Sequence, residues 1–230
     1  SAAVTREIAF DTETTGLDPR AGHRLAEIGC VELIHGMPSG NSWHSYLNPE
    51  RDMPEEAFNV HGLSVDFLQD KPLFGDVVEG FLDFVGDATL VIHNAAFDLG
   101  FVNAELGRVG RPVLTNGFVD TVTVARRKFP GQRNSLDALC ERFGINNAHR
   151  TKHGALPDAG LLAGVYTELN GGGQRGLDLA ATATSVTVQV SEGTVAVSIV
   201  REARVHAPSV AELAAHEAFL KKISDPLWLK

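Results

Sequence analysis

The first part of the chain places apolar and polar residues in short runs separated by glycine, proline and asparagine. Three of these runs, over 6–11, 25–34 and 41–47, are rich in β-forming residues and have the length of strands. Because they follow one another directly, they predict a meander of three strands that opens a sheet.

From Pro72 onward the apolar spacing becomes helical and alternates with a strand. The pattern predicts a compact strand over 88–93 and helices over 74–86, 96–109, 121–129, 134–143 and 158–169. The last helix is entered through Pro157-Asp158 and ended by Asn170 and three glycines. An antiparallel start followed by crossover units predicts one α/β domain over 1–170, with a mixed sheet and flanking helices.

Beyond Gly171-Gly172-Gly173 the chain becomes rich in alanine, threonine, serine and valine, with few large apolar residues. We interpret 171–204 as a tether, in which 184–200 alternates around a turn and could form a hairpin. We predict a tethered helix and tail over residues 205–230. Its end carries Leu227, Trp228 and Leu229, which are costly to leave in water and are expected to dock on a partner.

Composition narrows the class of protein. The 230 residues are 43% hydrophobic, enough for one α/β domain and an appendage, and no apolar run reaches the length of a membrane span. The start of the sequence lacks the pattern of a signal peptide, so a soluble cytoplasmic protein is expected. Cys30 and Cys140 each lie in an apolar segment, which favours two buried thiols over a disulfide or a zinc site.

The net charge of −9 is unfavourable for binding nucleic acid through a basic surface. Divalent cations at a carboxylate site, or a partner that delivers the nucleic acid, would compensate for it. One local basic cluster, formed by Arg126, Arg127, Lys128 and Arg133, could contact phosphates or could simply be a solvated patch.

Acidic residues recur where predicted elements begin or end. Asp11 and Glu13 are two apart at the end of the first strand, so they face the same side, and such a pair is unfavourable unless a cation neutralises it. Oxygen ligands suit Mg²⁺ or Mn²⁺. The alternative is a pair of solvated acids at a strand end.

Asp98 and Asp158 fall near the starts of two predicted helices, and His153 lies five residues before Asp158. A carboxylate in a first helical turn is favoured by the helix dipole alone. Taken singly, each of these acids could therefore be structural, and His153 could be an ordinary loop residue.

Together the segments FDTETTG, HNAAFD and HGALPDA resemble, in order and spacing over 6–169, the three motifs of the DnaQ-like 3′→5′ exonucleases. Members of that family carry four acids and one histidine on a ribonuclease-H-like domain. The segments around 48–63 and 129–140 resemble in particular the branch that proofreads for bacterial replicative polymerases.

The resemblance implies roles for individual residues. Asp11, Glu13, Asp98 and Asp158 would hold two divalent ions, Mg²⁺ or Mn²⁺, and His153 would take the proton from the attacking water. Contacts to the terminal nucleotide would come from the positions Asp11, Glu13, Glu56, His61 and Asp158. For Glu56 and His61 the alternative is an ordinary helix acid and a loop histidine that ends the helix.

The resemblance also implies partners. The substrate would be DNA 3′ ends, single-stranded or frayed, and residues 205–229 would bind the alpha subunit of DNA polymerase III. Gln174, Leu177 and Leu179 resemble the Gln-x-x-Leu-x-Leu peptides that bind the sliding clamp, although Ala180 stands where an aromatic residue often follows. A plain linker is the alternative there. For the whole chain, the alternatives are a free-standing exonuclease acting on RNA or short oligonucleotides, and a non-catalytic adaptor.

Overall fold

A computed structural model describes residues 5–148 and 150–172 of the chain. Its strands are β1 (Arg6–Thr14), β2 (Leu25–Ile34), β3 (Met37–Tyr46), β4 (Thr89–Ile92) and β5 (Phe118–Asp120). Its helices are α1 (Glu55–His61), α2 (Val65–Leu68), α3 (Phe74–Val85), α4 (Ala95–Arg108), α5 (Thr121–Lys128), α6 (Leu136–Phe143) and α7 (Ala155–Leu169), and a short 3₁₀ turn covers Pro19–Ala21.

The five strands form one mixed sheet in the order β3-β2-β1-β4-β5. β1 pairs with β2, and β2 with β3, in antiparallel fashion, which confirms the predicted meander. β4 runs parallel to β1, and β5 parallel to β4. The carboxyl ends of β1, β4 and β5 therefore meet at one edge of the sheet.

Alternation along the strands divides the core into two layers. Ile8 and Phe10 of β1 face a core formed with α3 and α4, whereas Ala9 between them faces a core formed with α5, α6 and α7. Such double-sided burial is typical of strands covered by helices on both faces. The α/β class, the mixed sheet and the flanking helices are confirmed.

The structure extends two predicted strands, since β1 continues to Thr14 and β3 begins at Met37, and it contains short elements that were not predicted. β5 has three residues and α2 four, which is too few for a period to show. α7 begins at Ala155, three residues before the predicted start at Asp158, because Pro157 lies within its first turn.

Cys30 and Cys140 are buried free thiols, as predicted. Within the two described ranges no helix has the length and apolar character needed to cross a membrane. The predicted hairpin over 184–200, the clamp-binding peptide and the helix and tail over 205–230 lie outside the described residues.

Candidate active site

β1 carries the first two acids to the edge of the sheet where the parallel strands end. Asp11 lies opposite Gly29 of β2, and Glu13 lies opposite Glu27, just before the register shifts at Thr14. Glu13 is buried, at 7% exposure. Both carboxylates therefore reach the site from backbone that is paired with β2, just beyond the point where pairing of β1 with β4 ends.

The start of α4 supplies the third acid through an unusual turn. Asn94 adopts a left-handed conformation, with φ of 72°, in the turn between β4 and the helix. Asparagine tolerates this conformation better than most residues. Asp98 is then 3% exposed and accepts a hydrogen bond of 2.7 Å from the Thr12 hydroxyl, which ties α4 to β1 between Asp11 and Glu13.

The fourth acid depends on a close approach between α7 and β2. A Cβ on Gly29 would lie 2.3 Å from the carbonyl carbon of Ala155, so only glycine lets the first turn of α7 sit this close to the strand. Asp158, one turn further on, is 2% exposed. Glycine inside a strand is a recognised sign of close backbone approach.

The segment before α7 places a histidine and an arginine beside Asp158. The backbone amide of His153 donates to the carbonyl of Val60 at 3.2 Å, which attaches this segment to α1. The His153 Nδ1 atom lies 3.3 Å from Asp158 Oδ2 and 2.7 Å from Arg150 Nη2. Arg150 itself forms a two-bond ion pair with Asp158, at 2.7 and 2.6 Å.

The four acids and the histidine line one cleft of about 1080 Å³: Asp11, Glu13, Asp98, Asp158 and His153. The cleft is also lined by residues of α5, α6 and the segment between them, including the polar residues Thr123, Arg126, Gln132 and Asn134. The volume exceeds what one side chain or ion would need. A cleft of this volume can hold the end of a peptide or of a nucleic-acid chain, a few residues or nucleotides long.

Crowding of the carboxyl groups shifts their protonation. Desolvation, followed by the charges of Asp98, Glu13 and Asp158, raises the pKa of Asp11 well above its ordinary value. Burial and then the charges of Asp158, Glu27 and Asp98 raise the pKa of Glu13 to about 8. Burial likewise raises the pKa of Asp98 to about 7, against the hydrogen bond from Thr12.

Asp158 is the exception among the four acids. Burial would raise its pKa, but its contacts with His153 and with Arg150 outweigh burial and hold the pKa below its ordinary value. The cleft therefore gathers more negative charge than its own basic groups neutralise.

This donor set fits a divalent cation. Glu13, His153 and Asp158 each offer one ligand atom, and these atoms lie within 4.8 Å of one another. Asp98 is close enough for its charge to raise the pKa of both Asp11 and Glu13. A bound cation would oppose these raised pKa values, because its positive charge favours the ionised carboxylates.

The structure places Glu56 and His61 differently from the other predicted residues. Glu56 is exposed on α1, and neither residue belongs to the described lining of the cleft. His61 is 5% exposed; its Nδ1 accepts from the amide of Leu63 at 3.0 Å, so its Nε2 donates to the carbonyl of Thr14 at 3.1 Å. His61 thus joins the end of α1 to the end of β1, and a contact to a nucleotide stays a prediction for both residues.

Members of the basic cluster Arg126, Arg127, Lys128 and Arg133 lie in different surroundings in the structure. Arg126 lines the cleft, whereas the Lys128 ammonium donates to the Leu169 carbonyl and Arg133 pairs with Glu141 at 3.7 Å. Of the four basic residues, Arg126 is the one in the described lining of the cleft.

Several residues of the site lie outside the predicted set. Asp120 caps α5 by accepting from the Val122 amide at 2.9 Å, and it also accepts from the Asn94 amide at 3.2 Å. Arg150 contacts His153 and Asp158, and Gly29 leaves room for the first turn of α7 against β2. The glycine inside a strand was a usable signal for Gly29, and the helix-start position was one for Asp120; nothing local marked Arg150.

Comparison with known proteins gives the context for this geometry. The family model described as Exonuclease matches residues 8–166. The chain is 46% identical over 244 residues to DNA polymerase III subunit epsilon of Escherichia coli, covering 99% of both chains. It is also 46% identical over 226 residues to the protein of the same name from Rickettsia felis, covering 95% of this chain and 96% of the relative.

Solved structures give the same fold. Exonuclease X in complex with 5′ overhanging duplex DNA is 28% identical, with a TM-score of 0.55, over 72% of this chain and 90% of that chain. The nuclease domain of 3′hExo, a DEDDh family member bound to rAMP, is 18% identical, with a TM-score of 0.63, over 74% of this chain and 95% of that chain. The likeness to DEDDh nucleases confirms the ribonuclease-H-like fold.

Proposed function

The chain belongs to the exonuclease family and, within it, to the epsilon subunits of bacterial DNA polymerase III, and from this premise we propose how its cleft removes nucleotides. The enzyme is a 3′→5′ exonuclease that proofreads for the replicative polymerase. The observation that carries the proposal is the meeting of Asp11, Glu13, Asp98, Asp158 and His153 on one cleft.

Family members of this type use divalent metals, and the four acids would hold two ions, Mg²⁺ or Mn²⁺. Divalent ions supply the positive charge that a phosphodiester needs at its attacking and leaving oxygens. Asp11, Glu13 and Asp98 hold their carboxylates on rigid elements, so little reorganisation is needed when substrate arrives. The two-fold contact from Arg150 fixes the plane of the Asp158 carboxylate.

His153 is the proposed general base. Its Nδ1 atom faces Asp158, and its side chain is 44% exposed, so water in the cleft can reach the ring. An imidazole exchanges protons near neutral pH, which suits removal of a proton from attacking water. The backbone bond from His153 to Val60 keeps the ring at the mouth of the cleft.

Preference for errors would come from the substrate. A mispaired 3′ end separates from its template with less unstacking energy than a paired one, so a cleft that accepts unpaired ends removes mismatches first. Arg126 of α5, which lines the cleft, would contact a phosphate of the DNA strand that enters it. Glu56 and His61 would act near the terminal nucleotide, His61 by holding the end of β1.

The remaining proposals concern partners and place. Residues 205–230, with Leu227, Trp228 and Leu229, would bind the alpha subunit, and Gln174, Leu177 and Leu179 would bind the sliding clamp. Attachment to a polymerase that already holds DNA removes the difficulty of a net charge of −9. A replication protein of this kind would work in the cytoplasm.

Hydrolysis assays on matched substrates test the proposal. The purified chain should degrade single-stranded DNA and a 3′-mispaired primer faster than a fully paired primer, and EDTA should abolish all three activities. A single-stranded RNA of the same sequence should be degraded more slowly. Faster hydrolysis of the RNA, or activity that persists in EDTA, would contradict the proposed substrate or the proposed metal dependence respectively.

A further inference from the structure

The Arg150 guanidinium lies at the centre of the candidate site. Its side chain is 8% exposed, and its three nitrogens are all engaged. Nε and Nη2 donate to the two carboxylate oxygens of Asp158, at 2.7 and 2.6 Å. Nη1 donates to Asp137 Oδ1 at 2.6 Å, and Nη2 also meets His153 Nδ1 at 2.7 Å.

These contacts involve side chains that a divalent ion would use. Glu13, His153 and Asp158 form the group whose ligand atoms lie within 4.8 Å of one another, and Arg150 Nη2 touches two of these three side chains. A guanidinium and a divalent ion both seek the carboxylate oxygens of Asp158. Positive charge from Arg150 also acts to lower the pKa of Asp11 and of Glu13, so its influence reaches the two acids of β1 as well as Asp158.

The Nδ1 atom of His153 gives a second, independent constraint. A guanidinium donates hydrogen bonds and has no lone pair to accept one, so His153 Nδ1 is the acceptor of the 2.7 Å contact with Arg150 Nη2. With Arg150 in this position, His153 Nδ1 is occupied and is closed to water.

Asp137 provides a place for the guanidinium to remain when Asp158 is taken. It lies on α6, its side chain is 57% exposed, and it holds Nη1, the nitrogen that contacts neither Asp158 nor His153. Asn147 supports Asp137 by donating to the same oxygen at 3.0 Å. Arg150 can therefore leave Asp158 and His153 while it keeps one ion pair.

We propose that Arg150 is the internal counter-ion of the site: it positions Asp158 and His153 until a divalent cation takes over Asp158, and it then withdraws toward Asp137 and frees His153 Nδ1. This inference rests on the proposed metal-dependent nuclease. It assigns Arg150 a positioning role, in competition with the metal, and not a contact with the reacting atoms.

Metal-dependent stability of the full chain tests the inference without measuring catalysis. Thermal unfolding of wild type, Arg150→Gln and Arg126→Gln would be followed in EDTA and in saturating Mn²⁺, and Mn²⁺ affinity would be measured by calorimetry. Arg126 is the matched control, because it lines the same cleft but has no hydrogen bond to Asp158 among the described residues.

Arg150→Gln should unfold several degrees below wild type in EDTA, because Asp158 loses its partner, and the difference should close in Mn²⁺. Its Mn²⁺ affinity should rise at least about tenfold more than that of Arg126→Gln. A purely structural brace would lower the unfolding temperature equally in both conditions. That result, or Mn²⁺ binding no tighter than in Arg126→Gln, would overturn the inference.

A milder variant keeps the test decisive if Arg150→Gln does not fold. Arg150→Lys keeps the charge but cannot form two parallel bonds to Asp158, so its deficit in EDTA should be smaller and should also close in Mn²⁺. An equal deficit with and without Mn²⁺ would again overturn the role. If wild type itself gained no stability from Mn²⁺, the proposed metal dependence would fail first, which separates the two failures.

Discussion

Gly29 of β2 lies directly against the backbone of Ala155, at a distance where a Cβ would come within 2.3 Å of the Ala155 carbonyl carbon. Because Asp158 follows one turn later, this contact sets the position of the fourth acid. Gly29→Ala should therefore push α7 away from the sheet, destabilise the protein by about 1–3 kcal/mol and reduce hydrolysis more than stability alone explains. Unfolding in urea and hydrolysis of single-stranded DNA at a permissive temperature measure the two effects.

Gly160 is the control for this prediction. It lies on α7 itself, is exposed, and a Cβ there would meet nothing within 4 Å. Gly160→Ala should be neutral or slightly stabilising, since alanine favours a helix. If Gly29→Ala behaved like Gly160→Ala, the close approach would not position Asp158.

Because the pKa of Glu13 is raised, we expect the free energy of unfolding in EDTA to fall as the pH rises toward 8. The Glu13 pKa is raised from 4.5 to about 8, so the folded protein keeps a proton that the unfolded chain releases. Its contribution to stability is full below pH 4.5 and is lost as the pH rises to about 8. Glu13→Gln should therefore be more stable than wild type at pH 8 in EDTA, with urea unfolding as the measurement.

Glu32 offers a control of opposite sign. Hydrogen bonds from Ser39, Arg6 and Asn41 lower its pKa to about 2, so it stabilises the fold at pH 8, and this contribution is lost as the pH falls through about 2. Glu32→Gln should be less stable than wild type at pH 8.

Saturating Mn²⁺ should remove the loss of stability at high pH that we attribute to Glu13. If wild type still lost this stability in Mn²⁺, the result would count against metal binding at Glu13.

His153→Ala should keep the fold and lose activity. The side chain is partly exposed and contributes little to the core, whereas loss of a general base typically slows a reaction by about 10²–10⁴-fold. Single-turnover hydrolysis in Mg²⁺ measures the effect. The neighbouring Lys152→Ala, which removes only a bond to the Asn59 carbonyl, should stay near wild type. Near wild-type hydrolysis by His153→Ala would rule out its role as base.

Removal of residues 173–230 should separate the nuclease from its polymerase. The described domain contains the whole candidate site, so the shortened chain should hydrolyse single-stranded DNA as the full chain does. Association with the alpha subunit should be lost in size-exclusion chromatography. Replacing Leu227, Trp228 and Leu229 with alanine in the full chain should have the same effect, and continued co-elution of either protein would refute the role of the tail.

The predicted clamp peptide can be tested without touching the nuclease. Alanine at Gln174, Leu177 and Leu179 should lower the affinity of the polymerase–exonuclease complex for the purified clamp and leave hydrolysis of free single strands unchanged. The contact is expected to be weak, since Ala180 replaces an aromatic residue, but tethering raises its effective concentration to roughly millimolar. Equal clamp affinity before and after the change would make this segment a plain linker.

Local pattern was sufficient for most of the fold. Ile8 and Phe10 face one core and Ala9 the other, so the strand character of β1 is visible in its own residues. The strand ends and helix starts then placed Asp11, Glu13, Asp98 and Asp158 near one edge. β5 was not visible, because three residues carry no measurable period and its pairing comes from β4.

Contacts between distant elements were beyond the reach of such patterns. Arg150 lies in a polar segment with no period, and its partners Asp137 and Asp158 come from two different helices. His61 looked like a candidate for substrate contact, but its bond to the Thr14 carbonyl appears only once α1 and β1 are packed. Hydrogen bonds between distant elements depend on tertiary geometry and leave no local trace.

The packing of α7 on β1 and β2 also has a consequence for biosynthesis. Asp11 lies on β1 and is synthesised before Asp158, which lies on α7. At about 5–20 residues per second, a delay on the order of ten seconds separates the two during translation. Until Asp158 has been synthesised, the nascent chain lacks at least one of its four acids, so the candidate site can assemble only after α7 has left the ribosome.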